Sequence, residues 1–305
     1  RFVALLALVT LDLRIFPALR KFSLQFVLFR ILFSYGGWVT VSNVISPLLR
    51  YLDRFMIGAL LTMSAVAYYS APFDILERLW IIPSSLALTL FPAFSTLDGL
   101  GRYEETQKIF LRSLKCLIIL TTPLIFMSIV FAESILKVWL GIDFAKNSAL
   151  VLQILAIGVL VGILAPIPGS ILQGYGRPDI IAKLYLMYIP INIALVWLLV
   201  KSMGLPGAAL SFVLRTILDT VLLLLMAVRL IRMPLITFLE KLYPAFTTVC
   251  GIGFLFWLTT RANSSLILQL LFTCSVLAVF AFIAWHWILN GEDKIILHFL
   301  RRRNQ

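Results

Sequence analysis

The chain has 305 residues, of which 61% are hydrophobic and 13% are charged, and its formal net charge is +12. Soluble domains have about 45–50% apolar and about 25% charged residues, so this composition excludes a soluble globular protein and predicts an all-α integral membrane protein. The basic residues lie in the connections between apolar segments, as described below. Nucleic-acid binding is therefore not needed to explain the charge, and no nucleic-acid partner is expected.

The first 33 residues differ from the rest of the chain. The apolar run over residues 2–11 is too short to span a bilayer and lacks a signal-peptide cleavage pattern. We expect it to be the end of a helix whose beginning lies upstream. Residues 13–32 combine basic side chains with four phenylalanines, which is typical of an amphipathic helix in the membrane interface. Residues 1–33 form the first predicted segment.

Eight apolar stretches follow, each long enough for a transmembrane helix. The predicted spans are residues 34–60, 66–95, 109–136, 147–173, 179–201, 205–231, 241–260 and 264–289. The first six form one predicted six-helix bundle, residues 34–232. The last two carry almost no interior charge and predict peripheral helices, which together with a basic cytoplasmic tail make up residues 233–305.

The connections between these spans alternate in basic content. One side holds 17 lysines and arginines and the other side holds four, namely Lys137, Lys146, Lys201 and Arg261. Cytoplasmic loops of membrane proteins carry an excess of Lys and Arg. The pattern therefore predicts a multi-pass protein with both ends in the cytoplasm, which agrees with an even number of helices.

Polar side chains follow one face of each of the first two spans, which we expect to form a hairpin. With a rotation of about 100° per residue, the main members of the two stripes are Asn43, Arg50, Asp53, Arg54, Asp74, Glu77 and Arg78. An ionised side chain near the bilayer centre costs about 2.5–3.5 kcal/mol, so these groups must face water or each other. Two explanations stay open: a wet cavity, or ion pairs within each helix, such as Arg50 with Asp53 and Asp74 with Arg78.

The sixth span adds Arg215 and Asp219 at neighbouring positions of one helical face. Asp53, Asp74 and Arg215 each lie about eight residues, or roughly 12 Å, from the predicted outer ends of their helices. Three helices thus carry charge at one depth. This predicts a polar cavity in the outer half of the bundle, with cations for an anionic ligand and carboxylates for a coupling ion.

Several motifs appear in order over residues 34–232. They are residues 37–43, LDRFMIG at 52–58, VAYYS at 66–70, LFPAFS at 90–95, VWLG at 138–141, LQGYGRP at 172–178 and GLPGAA at 204–209. This series resembles the start of the second half of Wzx-type polysaccharide flippases for O-antigen or exopolysaccharide. These proteins belong to the multidrug/oligosaccharidyl-lipid/polysaccharide exporter (MOP) superfamily.

The resemblance implies a MATE-like transporter with two six-helix lobes around a cavity that opens alternately to each side. This chain would be the C-terminal lobe plus two extra helices, with the N-terminal lobe upstream as its partner. Members of this type flip undecaprenyl-diphosphate-linked oligosaccharide across the bacterial inner membrane. The implied partners are therefore a polyprenyl-diphosphate-linked oligosaccharide and membrane lipid.

The resemblance gives the stripe residues expected roles. Arginine can donate two hydrogen bonds to phosphate while remaining charged. The candidate substrate contacts are Arg50, Arg54, Arg78, Arg215 and Asn43. The candidate ion-coupling residues, for H⁺ or Na⁺, are Asp53, Asp74, Glu77 and Asp219. The three cysteines lie in apolar spans without CxxC spacing, so no zinc site and no other cofactor is expected.

Two other functions remain open on sequence grounds. A MATE-type multidrug or cation antiporter would favour carboxylates and aromatic rings in its cavity, whereas this chain has about as many arginines as acids there. A membrane polysaccharide polymerase or glycosyltransferase would need acids, His or a metal cluster on an extramembrane loop. The longest loops offer only a few acids such as Asp98 and Asp143, so we expect a transporter and not an enzyme.

Overall fold

A computed structural model describes residues 26–261, 272–273 and 275–280, and every regular element in these ranges is helical. The all-α prediction is therefore confirmed. In these ranges, six helical segments are long and apolar enough to cross a membrane: Met63–Gly99, Tyr103–Val130, Ile142–Gly174, Pro178–Met203, Leu205–Leu230 and Leu235–Leu255. Most of the predicted first segment, most of the span over residues 264–289, and the basic tail lie outside the described residues.

The described helices follow one another with short connections. They are α1 (Phe26–Leu60), α2 (Met63–Glu77), α3 (Ile81–Gly99), α4 (Tyr103–Val130), α5 (Ala132–Leu140), α6 (Ile142–Gly162), α7 (Pro166–Gly174), α8 (Pro178–Met203), α9 (Leu205–Leu230) and α10 (Leu235–Arg261). Helix α1 is not among the six apolar segments. Its 35 residues would extend about 52 Å at 1.5 Å per residue, and it packs lengthwise against α8.

Three predicted spans are interrupted helices, and one of them, residues 109–136, is broken at Phe131 between α4 and α5. The other two interruptions lie close to prolines. Between α2 and α3 the chain makes a 3₁₀ turn at Arg78–Trp80. Pro83 follows this turn and has no N–H to donate to the carbonyl of Leu79. The second interruption separates α6 from α7 at residues 163–165. Pro166 is the first residue of α7, where proline is well tolerated because that N–H has no partner within the helix.

Helices α6 and α9 form the centre of the bundle. Helix α6 packs against α2, α4, α5 and α9, and two glycines allow the close approach to α9. A Cβ atom at Gly158 would lie 2.8 Å from the Phe212 ring, and one at Gly162 would lie 2.6 Å from Cγ2 of Thr216. Small residues permit such crossings in membrane proteins, where packing drives helix association.

The remaining helices are arranged around this centre. Helix α3 packs against α7, helix α8 lies between α1 and α9, and α10 packs against α4. At the α3–α7 crossing, a Cβ atom at Gly174 would lie 3.3 Å from the carbonyl oxygen of Phe91. As a result, α1, α2, α3, α7, α8 and α9 converge on one region of the bundle, which contains the candidate site.

Candidate functional site

A two-residue turn sets the geometry of the α1–α2 hairpin. Helix α1 ends at Leu60 and α2 begins at Met63. Thr62 caps α2, since its Oγ1 accepts a hydrogen bond of 3.1 Å from the backbone N–H of Ala65. The two helices therefore run antiparallel, as predicted, and their polar stripes meet.

Two ion pairs connect the stripes. Arg54 Nη2 lies 2.6 Å from Asp74 Oδ1, and Arg50 Nη1 lies 2.5 Å from Glu77 Oε1. The intrahelical pairs considered from the sequence are therefore wrong. Advancing along α1 from Arg50 to Arg54 corresponds to moving back along α2 from Glu77 to Asp74, which is the register of an antiparallel hairpin. This register places each acid closer to an arginine of the other helix.

Asp53 is the centre of a buried network that joins four helices. Its side chain is 1% exposed. Oδ1 accepts a hydrogen bond from Nδ2 of Asn192 at 3.1 Å, while Oδ2 accepts from Nη2 of Arg215 at 3.4 Å and from the hydroxyl of Tyr69 at 3.5 Å. An ionised group this deeply buried is tolerated only when it is paired and hydrogen-bonded, and this network meets both conditions.

Sequence reasoning missed two members of this network. Tyr69 and Asn192 are uncharged, and an amphipathic pattern gives them little weight. A signal for Asn192 was nevertheless present, because an amide inside the apolar α8 sequence is costly unless it has a partner within the protein. For Tyr69, the sequence offers no comparable signal.

A cavity of about 530 Å³ with a mainly apolar lining and four charged side chains lies beside this network, within the size range of ligand sites. It is lined by side chains from α1, α2, α3, α7, α8 and α9. The charged lining residues are Arg50, Glu77, Arg215 and Asp219, and the aromatic ones are Phe73, Trp80, Phe91, Tyr185, Tyr188 and Phe212. The cavity thus offers two cations, two carboxylates and several ring faces to an occupant.

The position of the cavity differs from the prediction. It extends from Arg215, near the middle of α9, to Gln173 and Ile181, close to the turn between α7 and α8. That turn is one of the basic connections. The cavity therefore lies in the half of the bundle on the basic-turn side, and not in the predicted outer half. On the other side, the tightly packed Asp53 and Tyr69, each 1% exposed, fill the space between the helices.

The five candidate substrate contacts separate into three groups. Arg50 and Arg215 line the cavity. Arg54 does not line it, but its guanidinium carbon lies 5.4 Å from the centre of the Phe73 ring, a cation–π contact. Asn43 and Arg78 are exposed and lie outside the lining, and within the described part of the chain Arg78 makes no ion pair.

The four candidate ion-coupling acids also differ in their surroundings. Glu77 and Asp219 line the cavity, whereas Asp53 lies buried beside it and Asp74 is half exposed in its pair with Arg54. Asp53, Asp74 and Glu77 each have an arginine partner within 4 Å. Asp219 has none among the described residues. The four acids are therefore not equivalent in structure, although their proposed role is the same.

Comparisons with known proteins provide a second line of evidence. Residues 3–149 match a family described as polysaccharide biosynthesis proteins. A Shigella flexneri protein named as a candidate O-antigen transporter is 35% identical over 195 residues, which cover 64% of this chain and 46% of that protein. A Haloferax volcanii protein named as a candidate flippase of low-salt glycan biosynthesis, Agl15, is 27% identical over 193 residues, which cover 63% of this chain and 41% of that protein.

A Methanocaldococcus jannaschii membrane protein is 31% identical over 208 residues, which cover 66% of this chain and 40% of that protein. The chain thus spans less than half the length of each of these relatives. The resemblance to Wzx-type polysaccharide flippases is confirmed, as is the multi-pass membrane character. Two of these relatives are named as a transporter and a flippase of O-antigen or glycan biosynthesis.

Proposed function

We propose that this relative of the polysaccharide flippases forms the C-terminal lobe of a transporter. The transporter moves undecaprenyl-diphosphate-linked oligosaccharide across the bacterial cytoplasmic membrane for surface polysaccharide biosynthesis. The observation that carries the proposal is an ion-paired face on the α1–α2 hairpin, beside a cavity with four charged side chains in its lining.

The exposure of this hairpin face is unusual for helices in a membrane. The Arg50 side chain is 48% exposed and that of Asp74 is 52% exposed. Contact with lipid would cost several kcal/mol for each charge. In our proposal this face therefore borders the water-filled path between this lobe and the N-terminal lobe, and the lipid-linked headgroup passes along it.

The arginines differ in how readily they can exchange partners. The Arg50–Glu77 pair is partly exposed, and such pairs contribute about 0–1 kcal/mol. Separating the buried Arg215 from Asp53 costs much more, because a charge then remains unpaired in the protein interior. A diphosphate can therefore replace Glu77 as the partner of Arg50, so we assign the first phosphate contact to Arg50 and a supporting contact to Arg215.

The basic turns indicate the side of the membrane from which the substrate enters the cavity. Cytoplasmic connections are rich in Lys and Arg, so the cavity on this side is accessible from the cytoplasm and both chain ends are cytoplasmic. The substrate enters from the cytoplasmic leaflet, and the Asp53 network closes the path on the other side. A coupling ion, H⁺ or Na⁺, drives the return of the empty cavity through one or more of the acids at Asp53, Asp74, Glu77 and Asp219.

The test measures transport by the full-length protein in proteoliposomes. The probe is a fluorescent undecaprenyl-diphosphate disaccharide, and the variants are Arg50→Gln and the control Arg102→Gln, which changes an exposed arginine of the α3–α4 turn. A hydrogen bond to a charged group contributes about 1.5–3 kcal/mol, so Arg50→Gln slows probe movement about tenfold or more. The control retains the wild-type rate.

Two results would contradict the proposal. One is equal probe movement in protein-containing and empty vesicles. The other is export of an organic cation such as ethidium without movement of the probe, which would instead identify the MATE-type antiporter.

A complementation experiment tests the same proposal in cells. A cell lacking its own flippase should regain surface polysaccharide with the wild-type protein and not with Arg50→Gln.

A further inference from the structure

We propose that Asp219 is the acid of this lobe that binds and releases the coupling proton. This inference rests on the proposed function and narrows it from four candidate acids to one residue and from two candidate ions to one. It is supported by the charges around the cavity, by a cluster of unpartnered polar atoms, and by the accessibility of Asp219.

The ion pairs leave one negative charge without a compensating partner. Glu77 and Asp74 are neutralised by Arg50 and Arg54 across the hairpin. In the buried interior, Arg215 donates to Asp53, so Asp53, Arg215 and Asp219 together carry a net charge of −1. The exposed Arg78 does not line the cavity. A single bound proton would neutralise the buried group.

Unpartnered polar atoms are concentrated around Asp219. Among the described residues, seven buried side-chain oxygen or nitrogen atoms have no hydrogen-bond partner, and five of them lie on facing parts of α8 and α9. These five are Tyr188 Oη, Asn192 Oδ1, Arg215 Nε, Asp219 Oδ1 and Thr220 Oγ1. Buried polar atoms are normally satisfied, so this concentration indicates an exchangeable occupant.

The position of Asp219 gives a proton a route to the carboxylate. Asp219 and Tyr188 line the cavity, which extends to the turn between α7 and α8. By contrast, Asp53 is enclosed by three hydrogen-bond donors and is not among the residues that line the cavity. The Asp219 carboxylate thus lies beside the neutral hydroxyl of Tyr188 and next to a path for water, and among the described residues no cation is ion-paired with it.

The donor set offers one carboxylate at this position. Within the described ranges, no group of three or more His, Cys, Asp and Glu side chains is placed to hold a metal. A proton requires a single carboxylate oxygen, which Asp219 provides.

The groups facing Asp219 come from several helices. They are Tyr185 and Tyr188 on α8, Arg215 on its own helix, Arg50 and the more distant Asp53 on α1, and Glu77 and the more distant Tyr69 on α2. The parts of α6 and α7 that pack against α9 contain no titratable side chain. Arg215 is therefore the nearest cation to act on the charge of Asp219.

Proton binding changes what the cavity attracts. With Asp219 ionised, the group of Asp53, Arg215 and Asp219 carries a net charge of −1, and the Arg50–Glu77 pair in the lining adds none. With Asp219 protonated, the net charge of the group is zero, so the cavity repels an anionic diphosphate less and binds it better. By linkage, the bound diphosphate in turn favours the protonated acid. This reciprocal effect is the physical basis for coupling proton binding to substrate binding.

The test uses the full-length protein in proteoliposomes with the fluorescent undecaprenyl-diphosphate disaccharide. One variant is Asp219→Asn, and the matched control is Asp143→Asn, which makes the same change at an exposed acid in the first turn of α6. If one proton moves per cycle, the wild type and the control change probe accumulation about tenfold for each unit of pH gradient. In Asp219→Asn, probe accumulation no longer changes with the pH gradient, whatever its rate of probe exchange.

The possible results separate this inference from the proposed function. Absence of probe exchange in the wild type contradicts the proposed function. Normal exchange with an undiminished response of Asp219→Asn to the pH gradient overturns the assignment of Asp219. A wild-type response to a sodium gradient instead of a pH gradient overturns the assignment of a proton.

A spectroscopic measurement tests proton binding without transport. The infrared difference spectrum between acidic and alkaline samples should contain a carboxylic-acid C=O band that is present in the wild type and Asp143→Asn and missing in Asp219→Asn.

A second variant covers the case in which Asp219→Asn does not fold. Tyr188→Phe keeps the acid and removes its neighbouring hydroxyl. It should shift the midpoint of the same band, and an unchanged midpoint would contradict the inference.

Discussion

Arg215 on α9 donates a hydrogen bond of 3.4 Å to Asp53 on α1, across 162 positions of the chain. The pair is buried, since the side chains of Arg215 and Asp53 are 14% and 1% exposed. It connects the first described helix to the last helix that lines the cavity. The same contact therefore contributes to stability and separates the cavity from the other side of the bundle.

We predict that removing one partner of this pair lowers the stability of the protein more than removing both partners. Arg215→Leu leaves the Asp53 carboxylate without its cation and should destabilise the protein by about 3–5 kcal/mol. The double variant Asp53→Leu with Arg215→Leu removes both charges and should recover much of that loss. Thermal unfolding of the purified protein in detergent measures both effects. A double variant that is less stable than Arg215→Leu alone would argue against a buried ion pair.

We predict that Gly162→Ala disrupts the packing of α6 against α9. The added Cβ would lie 2.6 Å from Thr216 Cγ2, and overpacking of this kind costs about 1–3 kcal/mol. Gly169→Ala is the matched control, because a Cβ atom at this other helical glycine meets nothing within 4 Å. The control should equal or exceed the wild type in melting temperature. Equal melting temperatures for the two variants would contradict the tight crossing.

The hairpin turn gives a third prediction. Thr62→Ala removes the side-chain acceptor for the Ala65 N–H and should lower stability by about 1 kcal/mol. Thr62→Ser retains a hydroxyl oxygen in the same position and should behave like the wild type. Both variants are compared by thermal unfolding. A loss in Thr62→Ser as large as that in Thr62→Ala would assign the effect to the methyl group instead of the cap.

The direction in which the cavity opens can be tested by cysteine labelling. In a background with the native cysteines replaced by alanine, Ser84→Cys places a thiol on the exposed cavity wall. A membrane-impermeant maleimide should modify it from the side of the basic turns and not from the other side. Ser211→Cys, at a fully buried position, should remain unmodified from both sides. Preferential modification of Ser84→Cys from the side of the α1–α2 turn would reverse the proposed orientation.

The class of the protein and much of its secondary structure follow from the sequence. Long apolar segments predict membrane helices because the bilayer leaves no alternative partner for backbone polar groups. The polar stripes on the first two spans predict the α1–α2 hairpin. All these properties depend on residues close together in the chain, so composition and periodicity are sufficient to identify them.

The ion-pair partners and the location of the cavity were decided by the tertiary structure. Arg50 has an acid three residues away on its own helix, but the antiparallel register brings Glu77 closer. Asn192 reaches Asp53 across 139 positions, and periodicity within one helix contains no information about that distance. Helical patterns show which side chains share a face, whereas the angles and separations between helices determine which faces meet and where space remains between them.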